Sequence, residues 1–575
     1  MEQLLTGFII VALVSGLILS RLPPALLFTG AMVGCVLVGS SNIPTVMSKA
    51  TNEGLITLLL LLMVSIGLER LPWLVAFSNR AIKGSLTKTL FALSSMTMLF
   101  SAFLNNSAVV ATLAGSVRKN RYHATSKLLL PISYAAILGG TLTLIGTSTN
   151  LIVSSFLEDM TGEGLAFFAF LPVALPAALA GLGIVLVMKD VLPTQSSGTL
   201  PVTEFLVEMI VADDSRLIGN TIADNGLRDL GDLFLVEVVR AGRLITPVTP
   251  DDRIEGGDRL IFSGDVSSVG ILERFHGLRS FAIAEGLLGS NLTEVVLLHS
   301  ATILGKTIKE SEFRSKFDAA VVGLHRDGER LSGKLGNISL RVGDSLMLAV
   351  GPDFQKRSNL SRNFFVTDNS VASQSLSLGR SVLVAIGMFA TVVCAVFSWI
   401  PLSTGLILLL LLMLAVKLVS TADLRRRFPF EIWLIVSSAL AVSQATIDAG
   451  LMDLTLGELK PVLTGAPPIV VLIIVYGLTV MMTELMTNNA AAALMFPFGY
   501  SVALATGLEP MPFVMAVAFG ASASFLTPYG YATNLMVQNL GGYTRLDYLK
   551  FGWPVSLTYS LVVLLLLPQL FPLNP

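Results

Sequence analysis

The chain has 575 residues, 53% of them hydrophobic and 13% charged, with a formal net charge of −1 and a mean hydropathy of +0.76. Soluble domains carry about 25% charged residues, so this balance excludes an ordinary soluble protein, and the near-zero net charge offers nothing to a nucleic acid. The two cysteines, Cys35 and Cys394, lie inside apolar runs, which argues against a disulfide framework.

The N-terminal stretch MEQLLTGFIIVALVSGLILSRLPP has no basic leader and no small-residue cleavage site, so it reads as a retained span. A helix needs about 20 apolar residues to cross the hydrocarbon. Spans are expected at 5–20, 24–40, 54–69, 127–157 and 165–189, within a first membrane half covering 1–193. Segment 88–117 differs: it is interrupted by the adjacent carboxamides Asn105 and Asn106, and its arms are too short for two comfortable crossings. It reads as a re-entrant hairpin with a polar tip.

From Thr194 to Ser373 the chain turns polar and strand-like. The pairs Glu208/Glu294, Gly219/Gly305, Gly242/Gly328, Gly257/Gly343 and Asp258/Asp344 all hold one 86-residue register. This predicts two small α/β modules in tandem, at 200–285 and 286–365. Each copy carries the order strand, xLxGxTI, strand, R-x-G, xGDxL, and so resembles the TrkA-C domain, the C-terminal lobe of potassium-conductance regulators. No GxGxxG follows a strand, so no dinucleotide is expected. The insert is expected either to sense a small effector or to serve stability and dimerisation.

The second membrane half, 374–575, repeats the layout of the first. Spans are expected at 380–399, 402–419, 431–447, 512–540 and 551–572, with a second hairpin at 468–505 broken at Thr487, Asn488 and Asn489. GTSTNLIV, from Gly146, matches GYATNLMV, from Gly530, and each follows its hairpin Asn at a similar distance. The spans 127–157 and 512–540 therefore read as broken helices. Basic loops (Arg70, Arg80, Lys83, Lys88, Arg118, Lys119, Arg121 and Lys127; Lys417, Arg425, Arg426, Arg427, Arg545 and Lys550) and acidic ones (Glu158, Asp159, Glu163; Asp448, Asp453, Glu458) alternate. With the basic loops inside, the insert is cytoplasmic, both termini are outside, and five crossings per half make the halves inverted repeats. Inverted repeats with interrupted helices point to a secondary transporter with its site at mid-depth.

Irregular backbone at membrane depth has to line a cavity or be buried in protein. Helix starts present N–H groups to an anion, while free carbonyls, carboxamides and hydroxyls suit a hard cation. At these residues the chain resembles the divalent anion:sodium symporter family of the ion-transporter superfamily, across both membrane halves. That family carries Ser-Asn-Thr at each tip, whereas here the tips read Asn105-Asn106-Ser107 and Thr487-Asn488-Asn489. The resemblance implies Na+-coupled symport of sulfate or of di- or tricarboxylates, an elevator-type motion, a homodimer and two or more Na+ sites. The insert leans the expectation toward sulfate. It implies an anion site at Asn105, Asn106, Ser107, Thr487, Asn488, Asn489, Thr149 and Thr533. It implies Na+ sites at Asn106, Gly146, Thr147 and Asn150, and at Asn488, Thr527, Gly530 and Asn534.

Glu484 lies one helical turn before Asn488, where it could bind a cation, carry a proton, or only hydrogen-bond within the hairpin. Gly139, Gly140, Gly520, Ser522 and Ser524 read as close-packing positions, and Pro528 as a helix breaker. The four histidines (His123, His276, His299 and His325) all fall in loops or the insert. An alternative reading is proton-coupled efflux of a weak acid or metalloid through Glu484. A potassium channel, suggested by the insert, lacks a repeated TVGYG-type filter. No nucleophile–base set, nucleotide loop or organic-cofactor motif supports an enzyme.

Overall fold

A computed structural model describes residues 2–574 apart from 21, 69–80, 83, 119, 121, 195–205, 228–229, 231–232, 241–242, 246–247, 265–274, 281–291, 299–300, 327–328, 332–334, 352, 355–356, 358, 367–377 and 452–464. Several charges used for orientation (Arg70, Arg80, Lys83, Lys119, Arg121, Asp453 and Glu458), together with Gly242, Gly328 and His299, lie outside the described residues.

The first half contains α1 (Glu2–Leu19), α2 (Pro24–Val38), α3 (Ile43–Ala50), α4 (Glu53–Leu68), α5 (Leu86–Ser101), α6 (Asn106–Arg118), α7 (Leu129–Gly140), α8 (Ser148–Thr161) and α9 (Leu171–Val187). The second contains α10 (Leu378–Val396), α11 (Leu402–Ala415), α12 (Thr421–Arg426), α13 (Phe430–Asp448), α14 (Pro468–Leu485), α15 (Asn488–Thr506), α16 (Pro510–Ser522), α17 (Ala532–Gly541) and α18 (Arg545–Leu570). The two halves thus carry one order of elements. Both hairpins break where the carboxamides stand, and both broken spans break before their Thr-Asn pair.

Local chemistry sets these ends. Pro24 opens α2, and Gly39, at φ +95°, closes it. Asn42 caps α3 by accepting the Thr45 N–H at 2.9 Å. Reciprocal capping boxes start α12 (Ser420 with Asp423) and α18 (Thr544 with Asp547). The short helices α3 and α12 occupy matching places before α4 and α13. The sequence reading passed over both, because six to eight amphipathic residues leave no span-like signal. Capping also starts α18 at Arg545 rather than at 551, and α8 runs on to Thr161 rather than stopping at 157.

Six described helices are long and apolar enough to cross a membrane, and α14 and α15 are two of them at 18 and 19 residues. The second hairpin's arms are therefore longer than a short re-entrant loop requires, whereas α5 and α6 have 16 and 13 residues.

Packing follows the duplication. Helix α5 lies on α7 as α14 lies on α16, α6 meets α17 as α15 meets α8, α4 meets α11 as α13 meets α2, and α9 packs against its own counterpart α18. These contacts between halves recur with the halves exchanged, while α1 and α3 also pack on α13. One continuous apolar core joins them.

The insert folds as two five-stranded antiparallel sheets of the same order. The first is β3-β2-β4-β1-β5, from β1 (Leu206–Val211), β2 (Leu233–Arg240), β3 (Arg243–Ile245), β4 (Arg259–Gly264) and β5 (Leu278–Ser280). The second is β8-β7-β9-β6-β10, from β6 (Leu292–Leu297), β7 (Ala319–Arg326), β8 (Glu329–Arg330), β9 (Ser345–Val350) and β10 (Phe364–Val366). Even the bulges, at Leu235/Glu237 and Val321/Gly323, keep the 86-residue spacing. Helix is sparse among the described insert residues, limited to the α-helices Phe313–Phe317 and Leu360–Asn363 and a 3₁₀ turn at Leu335–Asn337, so strand dominates the expected α/β mixture. Arg240 clamps Asp258 at 2.9 and 2.8 Å, and Arg326 clamps Asp344 at 2.7 and 2.7 Å. Val296 of the second module joins the membrane-side core, and Gly343 packs against Leu535 of α17.

Candidate functional site at the hairpin tips and broken spans

Each hairpin tip starts a helix, and its first polar residue serves that helix. Asn105 Oδ1 accepts the Ser107 N–H at 2.9 Å, and Thr487 Oγ1 accepts the Ala490 N–H at 3.4 Å. Both are N-caps, which occupies side chains that the sequence reading had assigned to the anion.

The breaks, 141–147 and 523–531, are built alike. Thr143 Oγ1 donates to Ala102 O, and Thr527 Oγ1 lies 3.4 Å from Glu484 O. The same hydroxyls accept the N–H of Gly146 at 3.1 Å and of Gly530 at 3.2 Å. Asn150 Nδ2 then donates to Thr143 O at 2.9 Å, as Asn534 Nδ2 does to Thr527 O at 3.4 Å. The repeated glycines are required by close approach. A Cβ on Gly146 would stand 2.4 Å from Gly140 O, and one on Gly530 would stand 2.0 Å from Ser524 Oγ.

The two halves meet through these polar residues. Tyr531 OH, from the second break, lies 2.6 Å from the Asn106 carboxamide and 3.2 Å from Thr147 Oγ1. Thr147 Oγ1 lies 3.1 Å from Thr149 Oγ1, which lies 2.6 Å from Ser522 Oγ on α16. Ser133, on α7, reciprocates by donating to Asn534 Oδ1 at 2.7 Å and lying 2.9 Å from the Thr533 hydroxyl. Ser148 Oγ donates to Asn489 Oδ1 at 2.6 Å. The starts of α6, α8, α15 and α17 are thereby joined through one neighbourhood at the junction of the halves. Asn106 and Asn489 connect through Tyr531 and the Thr147–Ser148 pair. Asn488 is half-buried at the start of α15 and makes no side-chain hydrogen bond to a described residue. Among the described residues, no Lys or Arg side chain joins this network.

The outer face of the Asn106 carboxamide meets Ser101 Oγ at 2.7 Å, Gly146 O at 3.2 Å and Ala136 O at 3.3 Å. All three can accept. With Nδ2 on that face its two protons are shared among these acceptors, and Oδ1 accepts from Tyr531. With Oδ1 there instead, oxygens converge with only the Ser101 proton between them. Close by, Asn150 Oδ1 is fully buried and has no partner. Leaving such an atom unmatched costs about 1–3 kcal/mol, and a hard cation would relieve it. Asn106, Gly146 and Asn150 each carry an oxygen suited to a hard cation, whereas the Thr147 hydroxyl meets Tyr531 and Thr149. In the second break Asn534 Oδ1 and Thr527 Oγ1 are already engaged, and Ser524 Oγ is a buried atom without a partner.

Glu484 braces the second break. Its Oε1 accepts the N–H groups of Phe525 and Leu526, both at 2.9 Å, and its Oε2 accepts the Thr527 hydroxyl at 2.7 Å. The matching position in the first hairpin is Ala102.

Thr143 and Ser148 were missed by sequence reasoning, and so were three residues that join the halves or the first tip. Ser101 and Ser133 look like ordinary helix residues. Tyr531 stood in the GYATN string, opposite Thr147 of GTSTN, and that size mismatch was its only signal. Thr149 and Thr533 are fully buried on inter-half serines.

A family model described as citrate transporter matches residues 8–518 and 485–573. A Chlamydomonas reinhardtii protein named "Putative sulfur deprivation response regulator" is 32% identical over 89% of this chain and 92% of its own length. An uncharacterized transporter of Synechocystis is 27% identical over 91% of this chain and 90% of its own. Sodium/sulfate cotransporter 1 of Chlamydomonas reinhardtii is 28% identical over 62% of this chain and 42% of its own length.

Proposed function

The chain belongs to the citrate transporter family, and on that premise we propose that it is a secondary active transporter moving an oxyanion, sulfate-type or a di- or tricarboxylate, together with Na+. One observation carries this reading: four helix starts and three carboxamides meet at the junction of the halves, and among the described residues no basic side chain bonds to them. An anion there meets backbone N–H groups and partial positive charge. Its remaining charge is offset by cations, which makes cation coupling intrinsic to the site. Asn106, Gly146 and Asn150 form the first cation site. Asn488, Thr527, Gly530 and Asn534 form the second once the bonds of Thr527 and Asn534 rearrange. Asn106, Ser107, Asn488 and Asn489 face the anion, with Asn105 and Thr487 fixing the helix starts that point at it.

The halves work as inverted repeats with re-entrant hairpins, in a homodimer moving by an elevator-type step, with the insert cytoplasmic and both termini outside. The contact pattern preserved on exchanging the halves supports the repeat. The 86-residue duplication in identical sheet order supports two TrkA-C-like modules, acting in regulation or dimerisation.

The test is uptake into proteoliposomes of labelled sulfate, citrate and succinate, with Na+ or choline outside. Uptake of at least one anion that collapses in choline supports the reading. Uptake that ignores Na+ but follows a proton gradient favours the efflux-type alternative through Glu484.

A further inference from the structure

We infer that the Asn106 carboxamide is a two-position switch that frees the Tyr531 hydroxyl for the transported anion only when a cation lies against Asn106. The inference deepens the sodium-coupled reading and rests on it.

The two faces of this carboxamide are not equivalent. One meets the oxygens of Ser101, Gly146 and Ala136; the other meets the Tyr531 hydroxyl alone. Rotation by half a turn about the terminal side-chain torsion exchanges Oδ1 and Nδ2 with almost no change of shape, and such sp3–sp2 torsions are soft. Asn106 is buried, with 4% of its surface exposed, so neither face has bulk water to compensate a mismatch.

Without a cation, hydrogen-bond accounting selects one position. Nδ2 donates toward Ser101 Oγ, Gly146 O and Ala136 O, and Oδ1 must then accept from Tyr531. Tyr531 has a single proton, and that proton is committed to Asn106. In the other position Oδ1 opposes two carbonyl oxygens at 3.2 and 3.3 Å, with no proton available to separate them. A cation reverses the preference. Around a calcium-sized ion with metal–oxygen distances of about 2.4 Å, neighbouring ligand oxygens lie about 3.4 Å apart, close to the spacing seen here. Na+ is of that size. Once Oδ1 turns to the ion, Nδ2 turns to Tyr531 and donates to the phenol oxygen. The phenol proton is released. The remaining described acceptor is Thr147 Oγ1 at 3.2 Å, a looser bond that an anion's oxygen can replace.

Tyr531 is therefore a coupling residue. It touches no cation, yet its donor is offered to the anion in the cation-bound state and withheld in the other. By linkage, the anion in turn tightens the cation. Thr147 holds the equivalent place in the first break, and its hydroxyl stops at Tyr531, so the repeat has one such switch at this junction.

The experiment uses the purified full-length protein and its Tyr531→Phe and Asn106→Asp variants. Thermal stability is titrated with sulfate and with citrate, at zero and saturating Na+, and with Na+ alone. In the wild type, Na+ is expected to raise the affinity for the transported anion about tenfold, within the usual 5–150-fold range of coupling. In Tyr531→Phe the Na+-alone shift persists while the gain in anion affinity falls below about threefold. Asn106→Asp presents oxygen on both faces, so Na+ stabilises it at least as well as the wild type, but no amide donates to Tyr531 and coupling is lost. A Tyr531→Phe protein with wild-type coupling overturns the switch alone. A wild type whose anion shift ignores Na+ overturns the sodium-coupled reading, and the switch with it.

Discussion

Glu484 separates bracing from charge carriage, because the two roles respond differently to removing the charge and removing the side chain. Its Oε1 holds the N–H groups of Phe525 and Leu526, and its Oε2 holds the Thr527 hydroxyl. In the first break the matching N–H groups, those of Thr141 and Leu142, turn back to Gly139 O, so no carboxylate is needed opposite Ala102. The second break departs from that turn and leaves its N–H groups to Glu484. Glu484→Ala orphans both, at about 1–3 kcal/mol each, so about 2–6 kcal/mol of stability is lost. Glu484→Gln keeps one oxygen for both N–H groups, and Thr527 can turn to accept from the new amide. Its cost is then about 1 kcal/mol, the difference between a charged and a neutral acceptor. Thermal unfolding of both variants, paired with Na+-driven uptake, reads this out. The expected result is a strongly destabilised Ala variant and a Gln variant with near wild-type stability and uptake. A stable Gln variant that has lost uptake would show that the carboxylate carries charge through the cycle, and an Ala variant as stable as the wild type would remove the brace.

Asn150→Ala deletes a buried Oδ1 with no protein partner together with the Nδ2 bond to Thr143 O, so the Na+ concentration for half-maximal uptake should rise about tenfold, equivalent to about 1.4 kcal/mol, while the lost bond lowers stability by about 1–3 kcal/mol; an unchanged Na+ dependence would exclude Asn150 as a ligand. Arg326→Ala strands the Asp344 carboxylate, which is 1% exposed. That should cost the second insert module about 3–5 kcal/mol, seen as new protease cleavage within 292–366 while the membrane halves stay intact. Burial pushes the Glu237 carboxyl above the usual carboxylate range. The folded first module therefore binds that proton more tightly than the unfolded chain does. Its stability from this group falls as the pH rises from the ordinary carboxylate pKa to the raised one, and recovers on acidification. Glu237→Gln should flatten that part of the profile, and an unaltered slope would contradict the assignment.

Much of the architecture was written in local pattern. The interruption at Asn105 and Asn106 placed a hairpin at 88–117, and helices Leu86–Ser101 and Asn106–Arg118 occupy it. Apolar runs define helices, and a polar pair between two of them marks a break because an unpaired backbone is costly in an apolar setting. The 86-residue register foretold strands at one spacing, and the structure adds bulges and Arg–Asp clamps at the same spacing, because a repeated module repeats its hydrogen bonds. The glycines of GTSTN and GYATN marked the breaks, since no side chain fits beside Gly140 O or Ser524 Oγ.

The division of labour within the site was decided by tertiary packing. Asn106 meets Tyr531 across 425 positions, Ser133 meets Asn534 across 401, and Glu484 meets Leu526 across 42. Composition and periodicity fix which residues form helices and which faces are polar. They do not fix which two polar faces meet, because that follows from how the two halves dock. Docking spent Thr149 and Thr533 on inter-half serines and left Asn150 Oδ1 without a partner, while the caps at Asn105 and Thr487 are local. It also placed a tyrosine, unremarkable in the string, against the carboxamide with which the first hairpin begins its inward helix.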